Sequence, residues 1–243
     1  MSRGIFVTGT DTGVGKTLVA AGIFRYLRNL GMDAVPVKPV QTGGTQRDGV
    51  LTAPDLDYSL AVSGLGLEAD EVKLMSPYVY EPACSPHLAG RLAGSYPEIL
   101  KITGSIEELL ERHTAVVVEG AGGILVPLNE TETMLDLMKA LGFPVVLVSR
   151  PSLGTINHTL LSIEVLRSAG LSLIGVVFNH LEDSVPGNED IENDNPGVIA
   201  RFGDVQVLGN IPYFTARDVK NGIWEDFDRN MPGLDSISEA VTD

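Results

Sequence analysis

The chain has 243 residues, with 17 Lys and Arg against 32 Asp and Glu, so its formal net charge at pH 7 is −15. Hydrophobic residues make up 44% and charged residues 20%, a globular composition that argues against disorder. Phosphate backbones and anionic bilayers repel such an acidic chain, which excludes broad binding to nucleic acid or to a membrane surface but leaves room for a local basic pocket.

The single cysteine, Cys84, excludes an intrachain disulfide and a cysteine-only metal cage within one chain. The first residues run directly into a short apolar strand, whereas a signal peptide needs a longer apolar region and a cleavage site. No apolar run approaches the roughly 20 residues that span a bilayer. We therefore expect a soluble, cytoplasmic protein that forms a single domain over residues 1–243.

Short runs rich in β-branched residues alternate along the chain with longer stretches of helical periodicity. The predicted strands are Ile5–Thr8, Ala34–Lys38, Ala115–Glu119, Val145–Ser149, Leu173–Phe178 and Val205–Gly209. The predicted helices are Thr17–Leu30, Asp55–Leu65, Ile106–Arg112, Met134–Leu141 and Thr155–Ala169. Strands that are apolar on both faces and separated by helices indicate an α/β fold with a single doubly wound, mostly parallel sheet.

Two segments lack this periodicity and are predicted to be loops. Gly43–Pro54 is polar and rich in glycine, and Glu182–Pro196 is acidic and contains two prolines. We interpret the acidic segment as a solvated, mobile surface loop. The residues from Thr215 onward include Trp224 but show no clear periodicity, so the pattern assigns them no structure.

The strongest motif is the run GTDTGVGKT at Gly9–Thr17, which lies directly between a predicted strand and a predicted helix. In that setting the backbone N–H groups of a glycine-rich turn and of a helix N-terminus bind phosphate. We expect Lys16 to reach the β- and γ-phosphates and the Thr17 hydroxyl to ligate Mg²⁺. The loop is one residue longer than the usual G-x₄-GK[ST] form, which indicates a distinct branch of P-loop proteins that bind nucleoside triphosphates.

Charged residues follow the ends of two further strands, which open at the same edge of the sheet as this loop. Lys38 ends the second strand, where it either faces phosphate or merely closes the strand at the surface. Glu119 ends the third strand and is followed by glycines, which makes it a candidate Mg²⁺ ligand. Asp55, at a predicted helix start, is either a second ligand or a helix cap, and Asp57 is a weaker rival.

Taken together, the motifs of this chain resemble those of the dethiobiotin synthetase family. They are GTDTGVGKT at Gly9–Thr17, KPVQTG at Lys38–Gly43, CSPH at Cys84–His87, VEGAGG at Val118–Gly123, LGTINHTLL at Leu153–Leu161, GVVFN at Gly175–Asn179 and GNIPY at Gly209–Tyr213. They occur in the family's order and span most of the chain. The resemblance implies a P-loop fold of the MinD-like branch, usually a homodimer, that closes a urea ring on 7,8-diaminononanoate with CO₂ and MgATP.

The resemblance also implies the residues of the site. The residues that hold the nucleotide are Gly13, Val14, Gly15, Lys16, Thr17, Leu18, Asp55, Glu119, Gly120, Ala121, Gly122, Asn179, His180, Pro212, Tyr213 and Phe214. Of these, Thr17, Asp55 and Glu119 also bind Mg²⁺. Lys38 and Lys16 are the catalytic lysines, and Thr12, Thr42 and Lys38 contact the substrate. Thr155 and Asn157 meet the substrate's tail carboxylate across the dimer interface, where a helix N-terminus favours an anion.

Two alternative functions use related phosphate loops. A MinD- or ParA-like ATPase switch, which acts on a protein, DNA or membrane partner, carries an additional lysine early in its loop, where this chain has Asp11. Cobyrinate-amidating enzymes carry a glutamine amidotransferase domain, for which this chain is too short. The resemblance implies instead an ATP-dependent ligase that forms a carbamate from the diamine and CO₂, phosphorylates it, and closes the ring with release of ADP and phosphate.

Overall fold

The computed structural model describes residues 3–65, 68–182, 189–215 and 222–242, and within them the strands form three sheets. In chain order the strands are β1 (Gly4–Gly9), β2 (Ala34–Val37), β3 (Val40–Thr42), β4 (Thr45–Arg47), β5 (Val50–Thr52), β6 (Tyr78–Tyr80), β7 (Ala115–Glu119), β8 (Val145–Ser149), β9 (Leu173–Asn179) and β10 (Val207–Ile211). The helices are α1 (Lys16–Asn29), α2 (Pro54–Ser63), α3 (Ala69–Met75), α4 (Pro86–Ala93), α5 (Ile99–Arg112), α6 (Met134–Leu141), α7 (Thr155–Ser168), α8 (Glu189–Gly203), α9 (Trp224–Arg229) and α10 (Leu234–Thr242).

A six-stranded sheet forms the centre of the fold, with the strand order β10–β9–β8–β1–β7–β2 and every neighbouring pair parallel. Along β1, Phe6 packs in one hydrophobic cluster while Ile5 and Val7 pack in another, because successive side chains of a strand point to opposite faces. Helices cover both faces, with Ile102 of α5 in the first cluster and Ile23 of α1 in the second. The predicted doubly wound α/β sheet is therefore confirmed.

The predicted strands of this sheet are all present, with bounds that differ from the prediction by at most two residues. Four of the five predicted helices, which correspond to α1, α2, α6 and α7, also have bounds within two residues of the prediction. The helix predicted over Ile106–Arg112 is wrong at its start, since α5 begins at Ile99. The reason is that Ile99 and Ile102 extend the buried face of the helix by two turns, across the poorly helix-forming Gly104.

The segment Gly43–Pro54, predicted to be a loop, contains a short antiparallel hairpin formed by β4 and β5. Its two-residue turn is Asp48-Gly49, and both residues have positive φ, at 50° and 78°. Asp-Gly is the pair that such a turn favours, because aspartate tolerates and glycine readily adopts this backbone region. Pro54 then begins α2. The prediction of a loop is therefore wrong for the hairpin residues and for Pro54.

The acidic segment Glu182–Pro196 is also corrected, because α8 begins at Glu189 and continues through Pro196 to Gly203. Residues 183–188 of the predicted loop lie outside the described residues. The first turn of α8 carries Glu189, Asp190 and Glu192, and acidic side chains are favourable there because the helix dipole is positive at that end. Ile199 anchors the helix to the first hydrophobic cluster, and this tertiary contact decides the conformation.

The pattern left the residues from Thr215 onward unassigned, and in their described part Trp224–Arg229 and Leu234–Thr242 form α9 and α10. Residues 216–221 lie outside the described residues. Phe227 of α9 and Ile237 of α10 are fully buried in the hydrophobic cluster that also holds α1. These helices therefore complete the cover on one face of the sheet. Across the described ranges, no helix combines the length and the apolar character that crossing a membrane would require.

Candidate active site

The glycine-rich loop joins the end of β1 at Gly9 to the start of α1 at Lys16, as its motif predicts. Gly13 and Gly15 adopt positive φ angles of 76° and 92°. Gly15 caps α1 without a side-chain hydrogen bond, so the first N–H groups of the helix are free to bind an anion. The Lys16 ammonium donates to the backbone oxygen of Asp11 at 2.8 Å, which holds its side chain over the loop.

Lys38 lies at the centre of a buried cluster of charges beside this loop. Its Nζ lies 2.7 Å from Oε1 of Glu119 and 2.8 Å from Oδ2 of Asp55. The Thr17 hydroxyl donates to the same Glu119 oxygen at 2.8 Å. Lys38 and Glu119 are 5% and 4% exposed, so this is an interior ion pair rather than a surface contact.

Burial and neighbouring charges shift the proton affinities of this cluster. Burial lowers the pKa of Lys38, but the Glu119 and Asp55 carboxylates outweigh it and leave that pKa above its usual value, so Lys38 is an ammonium. Burial raises the pKa of Glu119, and the Lys38 charge opposes that rise. Burial and the charge of Lys38 lower the pKa of Lys16 to about 8. Two cations and two carboxylates therefore share one small volume.

These side chains open into a cavity of about 430 Å³ at the carboxyl edge of the sheet. The predicted site residues that line it are Thr12, Gly13, Gly15, Lys16, Thr17, Lys38, Thr42, Asp55, Glu119, Ala121 and Gly122. They come from four separate parts of the chain, which meet because β1, β2 and β7 are parallel neighbours. The cavity is suited to a polyanion, since it combines a helix N-terminus with two lysines.

The oxygens around Lys38 also form a set that fits a hard divalent cation. Thr17, Asp55 and Glu119 supply one hydroxyl and two carboxylates, which are ligands that Mg²⁺ prefers. The Lys38 ammonium already bridges both carboxylates, which demonstrates that a cation fits between them. No cluster of three or more His, Cys, Asp or Glu suited to a metal occurs in the described part of the chain.

Comparison with known proteins gives two consistent results. A family model described as an AAA domain matches residues 3–218. The chain is 40% identical over 213 residues to the ATP-dependent dethiobiotin synthetase BioD of Halalkalibacterium halodurans, covering 87% of this chain and 85% of the relative. It is 41% identical over 221 residues to the protein of that name from Anaeromyxobacter sp. strain Fw109-5, covering 89% and 92%. The chain belongs to the dethiobiotin synthetase family.

Solved structures place the fold of this dethiobiotin synthetase family member among the MinD-like P-loop proteins. A chain of the MinC:MinD cell division protein complex of Aquifex aeolicus aligns with a TM-score of 0.59 at 17% identity, over 99% of this chain and 94% of that one. The cell division ATPase MinD of Pyrococcus furiosus aligns with a TM-score of 0.58 at 20% identity, over 100% and 98%. At these identities the likeness describes the fold alone.

Asp55 and Asp57, the two rival acids of this dethiobiotin synthetase family member, lie on the same helix but face different partners. Asp55 lines the cavity and pairs with Lys38. Asp57 pairs instead with Arg47 of the hairpin, with Oδ2 3.2 Å from Nη1, and does not line the cavity. The geometry therefore favours Asp55 as the acid that faces a ligand.

Several residues that the family resemblance implies do not line this cavity. They are Val14, Leu18, Gly120, Thr155, Asn157, Asn179, His180, Pro212, Tyr213 and Phe214. Asn179 lies directly behind the loop, where its Nδ2 donates to the backbone oxygen of Val14 at 3.1 Å. The Nε2 of His180 lies 3.1 Å from Oδ1 of Asn210. The Pro212–Phe214 segment follows β10 at the same edge.

Thr155 and Asn157 occupy the first turn of α7, but their side chains differ in exposure. Asn157 is exposed, whereas the Thr155 hydroxyl is buried beside those of Ser149 at 2.8 Å and Thr159 at 3.2 Å. Gly154 caps the helix without a side-chain hydrogen bond. Of these two side chains, Asn157 therefore faces solvent, whereas the Thr155 hydroxyl is held inside the fold.

Gln41 lines the cavity although sequence reasoning did not select it as a site residue. Its Oε1 accepts a hydrogen bond from the backbone N–H of Asp55 at 3.3 Å, and its Nε2 donates to the Thr42 oxygen at 2.8 Å. Gln41 thus connects β3 to the start of α2 and helps to orient Asp55. The sequence did contain a feature that could have identified Gln41, since it lies in the motif KPVQTG between Lys38 and Thr42, which were both predicted to be site residues.

Proposed function

We propose that this protein is an ATP-dependent dethiobiotin synthetase, which closes a urea ring on 7,8-diaminononanoate with CO₂ and releases ADP and phosphate. The observation that supports this most directly is the single cavity in which Lys16, Lys38, Thr17, Asp55 and Glu119 meet. A reaction that transfers a phosphoryl group to a small acid needs this combination of cations and metal-binding oxygens. The proposal includes a location in the cytoplasm, a compartment that supplies ATP.

The reaction proceeds in three steps whose atoms balance. One amine of the substrate attacks CO₂ and loses a proton, which gives a carbamate. A carbamate oxygen then attacks the γ-phosphorus of ATP, so that ADP leaves and a carbamic–phosphoric anhydride forms. The second amine attacks the carbonyl carbon of this anhydride and loses a proton to solvent, phosphate leaves, and the five-membered ring closes.

In these steps the protein binds and orients the reactants rather than reacting covalently with them. The loop N–H groups and Lys16 hold the phosphates, and Lys38 offsets the negative charge that gathers on the transferred phosphoryl group. Thr12 and Thr42 line the same cavity beside Lys38, where they hold the reacting amines. Placing the amines against a bound phosphate makes the encounter effectively intramolecular, which accounts for a large share of the rate.

Thr17, Asp55 and Glu119 are the residues that would hold Mg²⁺. When bound, this ion neutralises charge on the β- and γ-phosphate oxygens. Glu119 is buried and bonded to both Thr17 and Lys38, so its orientation is set before any ligand binds. Asp55 is more exposed, and Gln41 supports its position through the backbone.

The proposal is tested by measuring phosphate release from MgATP with and without 7,8-diaminononanoate and bicarbonate. We expect release to require both additions and to yield a product heavier than the diamine by a carbonyl group in place of two hydrogens, as detected by mass spectrometry. Phosphate release that ignores the diamine, with no new product, would contradict the ligase function and would favour a MinD-like ATPase switch.

Substitution of Asp55 by asparagine is expected to raise the Mg²⁺ concentration needed for half-maximal activity by about tenfold, because a charged ligand is replaced by a neutral one. The matched control is Asp57→Asn, which lies two residues away and pairs with Arg47 outside the cavity. A titration of activity against Mg²⁺ at fixed ATP compares the two variants. An equal change in both, or a larger change for Asp57→Asn, would overturn the assignment of Asp55.

The proposal also includes a homodimer with the substrate site at its interface. The support is a second cavity of about 380 Å³, next to Thr10 and Asp11 of the loop, whose rim carries Leu125 and Leu161 at 59% and 58% exposure. Such exposed apolar side chains at a site's edge are typical of protein–protein contacts. A second copy bound there would bring the α7 N-terminus, with Thr155 and Asn157, toward the substrate's carboxylate.

Replacing Leu161 by glutamate is expected to convert a dimer of about twice 25.9 kDa into a monomer, because it places a charge in an apolar contact. Leu100→Glu is the control, since Leu100 is 86% exposed but lies outside this cavity. Analytical ultracentrifugation distinguishes the two masses. A wild-type monomer, or a Leu161→Glu dimer as stable as the wild type, would exclude this interface.

A further inference from the structure

All three N–H donors of the Lys38 ammonium have acceptors within the protein. Two are carboxylate oxygens, Glu119 Oε1 at 2.7 Å and Asp55 Oδ2 at 2.8 Å, and the third is the backbone oxygen of Gly120 at 3.3 Å. An ammonium group has three N–H bonds and no more. In this arrangement Lys38 has no donor left for a phosphate or a carbamate, so it must release a partner before it acts on a substrate.

The partners of Lys38 are also the oxygens of the candidate metal site. Glu119 Oε1 accepts both from Lys38 and from the Thr17 hydroxyl, so the side chains proposed to bind Mg²⁺ converge on the volume that the ammonium occupies. A divalent ion on the same two carboxylate oxygens would lie within a few ångströms of Nζ. Two cations so close in a buried site repel each other strongly.

We propose that Lys38 is the resident cation of this site in the nucleotide-free protein, and that the site accepts a divalent ion only after a bound nucleotide draws Lys38 away from the carboxylates. This inference rests on the ligand set named under the proposed function. Lys38 then has two successive roles: it neutralises Asp55 and Glu119 before binding, and it carries its charge to the phosphoryl group afterwards. The exchange replaces a singly charged ammonium at the two carboxylates by a divalent ion, and it makes metal loading depend on the nucleotide.

The direct test is a titration of nucleotide-free protein with Mn²⁺. The concentration of free Mn²⁺ is measured at each point by electron paramagnetic resonance, which gives the dissociation constant. We expect Lys38→Met to bind one Mn²⁺ about tenfold more tightly than the wild type, because the competing charge is gone. Lys73→Met, the same change at an exposed lysine of α3, is expected to match the wild type. The gain should disappear in Lys38→Met/Asp55→Asn. Equal affinity in Lys38→Met and wild type, or a gain that survives Asp55→Asn, would overturn the inference.

A second measurement uses the wild type and so does not depend on the folding of a variant. Crystals soaked in Mn²⁺ alone should show no anomalous scattering peak between Asp55 and Glu119, with Nζ of Lys38 still bridging them. Crystals soaked in Mn²⁺ with a non-hydrolysable ATP analogue should show the peak and a displaced Lys38. A peak without nucleotide beside an unmoved Lys38 would refute the inference. Neither measurement uses the diamine or turnover, so a failed ligase assay and a failed exchange are distinguishable.

Discussion

Substitution of Gly15 by alanine is expected to lower the affinity for ATP by about a hundredfold and the free energy of unfolding by about 3 kcal/mol. Gly15 has a φ of 92°, which an L side chain rarely adopts, and a Cβ built there would lie 2.1 Å from Nδ2 of Asn179. The loop or Asn179 must therefore move, and both hold the phosphate site in shape. Isothermal calorimetry with ATP and urea unfolding measure the two effects.

Gly13 provides the matched control for this prediction, because its φ is also positive, at 76°, but a Cβ there meets nothing within 4 Å. We expect Gly13→Ala to cost only the backbone strain, about 1 kcal/mol of unfolding free energy. In an Asn179→Ala background, Gly15→Ala should cost about the same 1 kcal/mol, since the collision is gone. A cost that is equal for Gly15→Ala and Gly13→Ala in the wild-type background would show that the contact with Asn179 has no effect.

Replacement of Lys38 by methionine is expected to reduce kcat for ring closure by about 10³-fold and to lower the free energy of unfolding by about 3 kcal/mol. The loss of activity follows from the loss of a buried charge beside the transferred phosphoryl group. The loss of stability follows because Glu119, which is 4% exposed, is left without its neutralising partner. Steady-state kinetics and chemical denaturation give the two quantities independently.

The double variant Lys38→Met/Glu119→Gln separates these two consequences. It removes both charges of the pair, so we expect most of the lost stability to return while activity stays as low as in Lys38→Met. Lys73→Met serves again as the control for a lysine removed from an exposed position. A double variant no more stable than Lys38→Met would mean that the buried pair does not account for the stability of this region.

Local pattern was sufficient for the central sheet and the phosphate loop, because both depend on short stretches of chain. Consecutive apolar residues, as in Val145–Ser149, predict a strand buried on both faces, and the structure has that strand with the same bounds. The loop was recognised because Gly9–Thr17 contains glycines, a lysine and a threonine in fixed order between a strand and a helix. Pattern failed at α8, because its acidic first turn resembles a solvated loop when its packing is unknown.

The amino-acid sequence by itself determined the parallel α/β architecture, the phosphate loop and the family, since apolar periodicity and ordered motifs are written along the chain. Only the tertiary structure decided which acid faces the cavity and what Lys38 binds. Asp55 and Asp57 are two residues apart at the start of the same helix, so their positions in the sequence do not distinguish them. In the structure Asp55 pairs with Lys38, whereas Asp57 pairs with Arg47. Lys38 and Glu119 are 81 residues apart, and they form a buried pair because parallel strands bring their ends to one edge of the sheet.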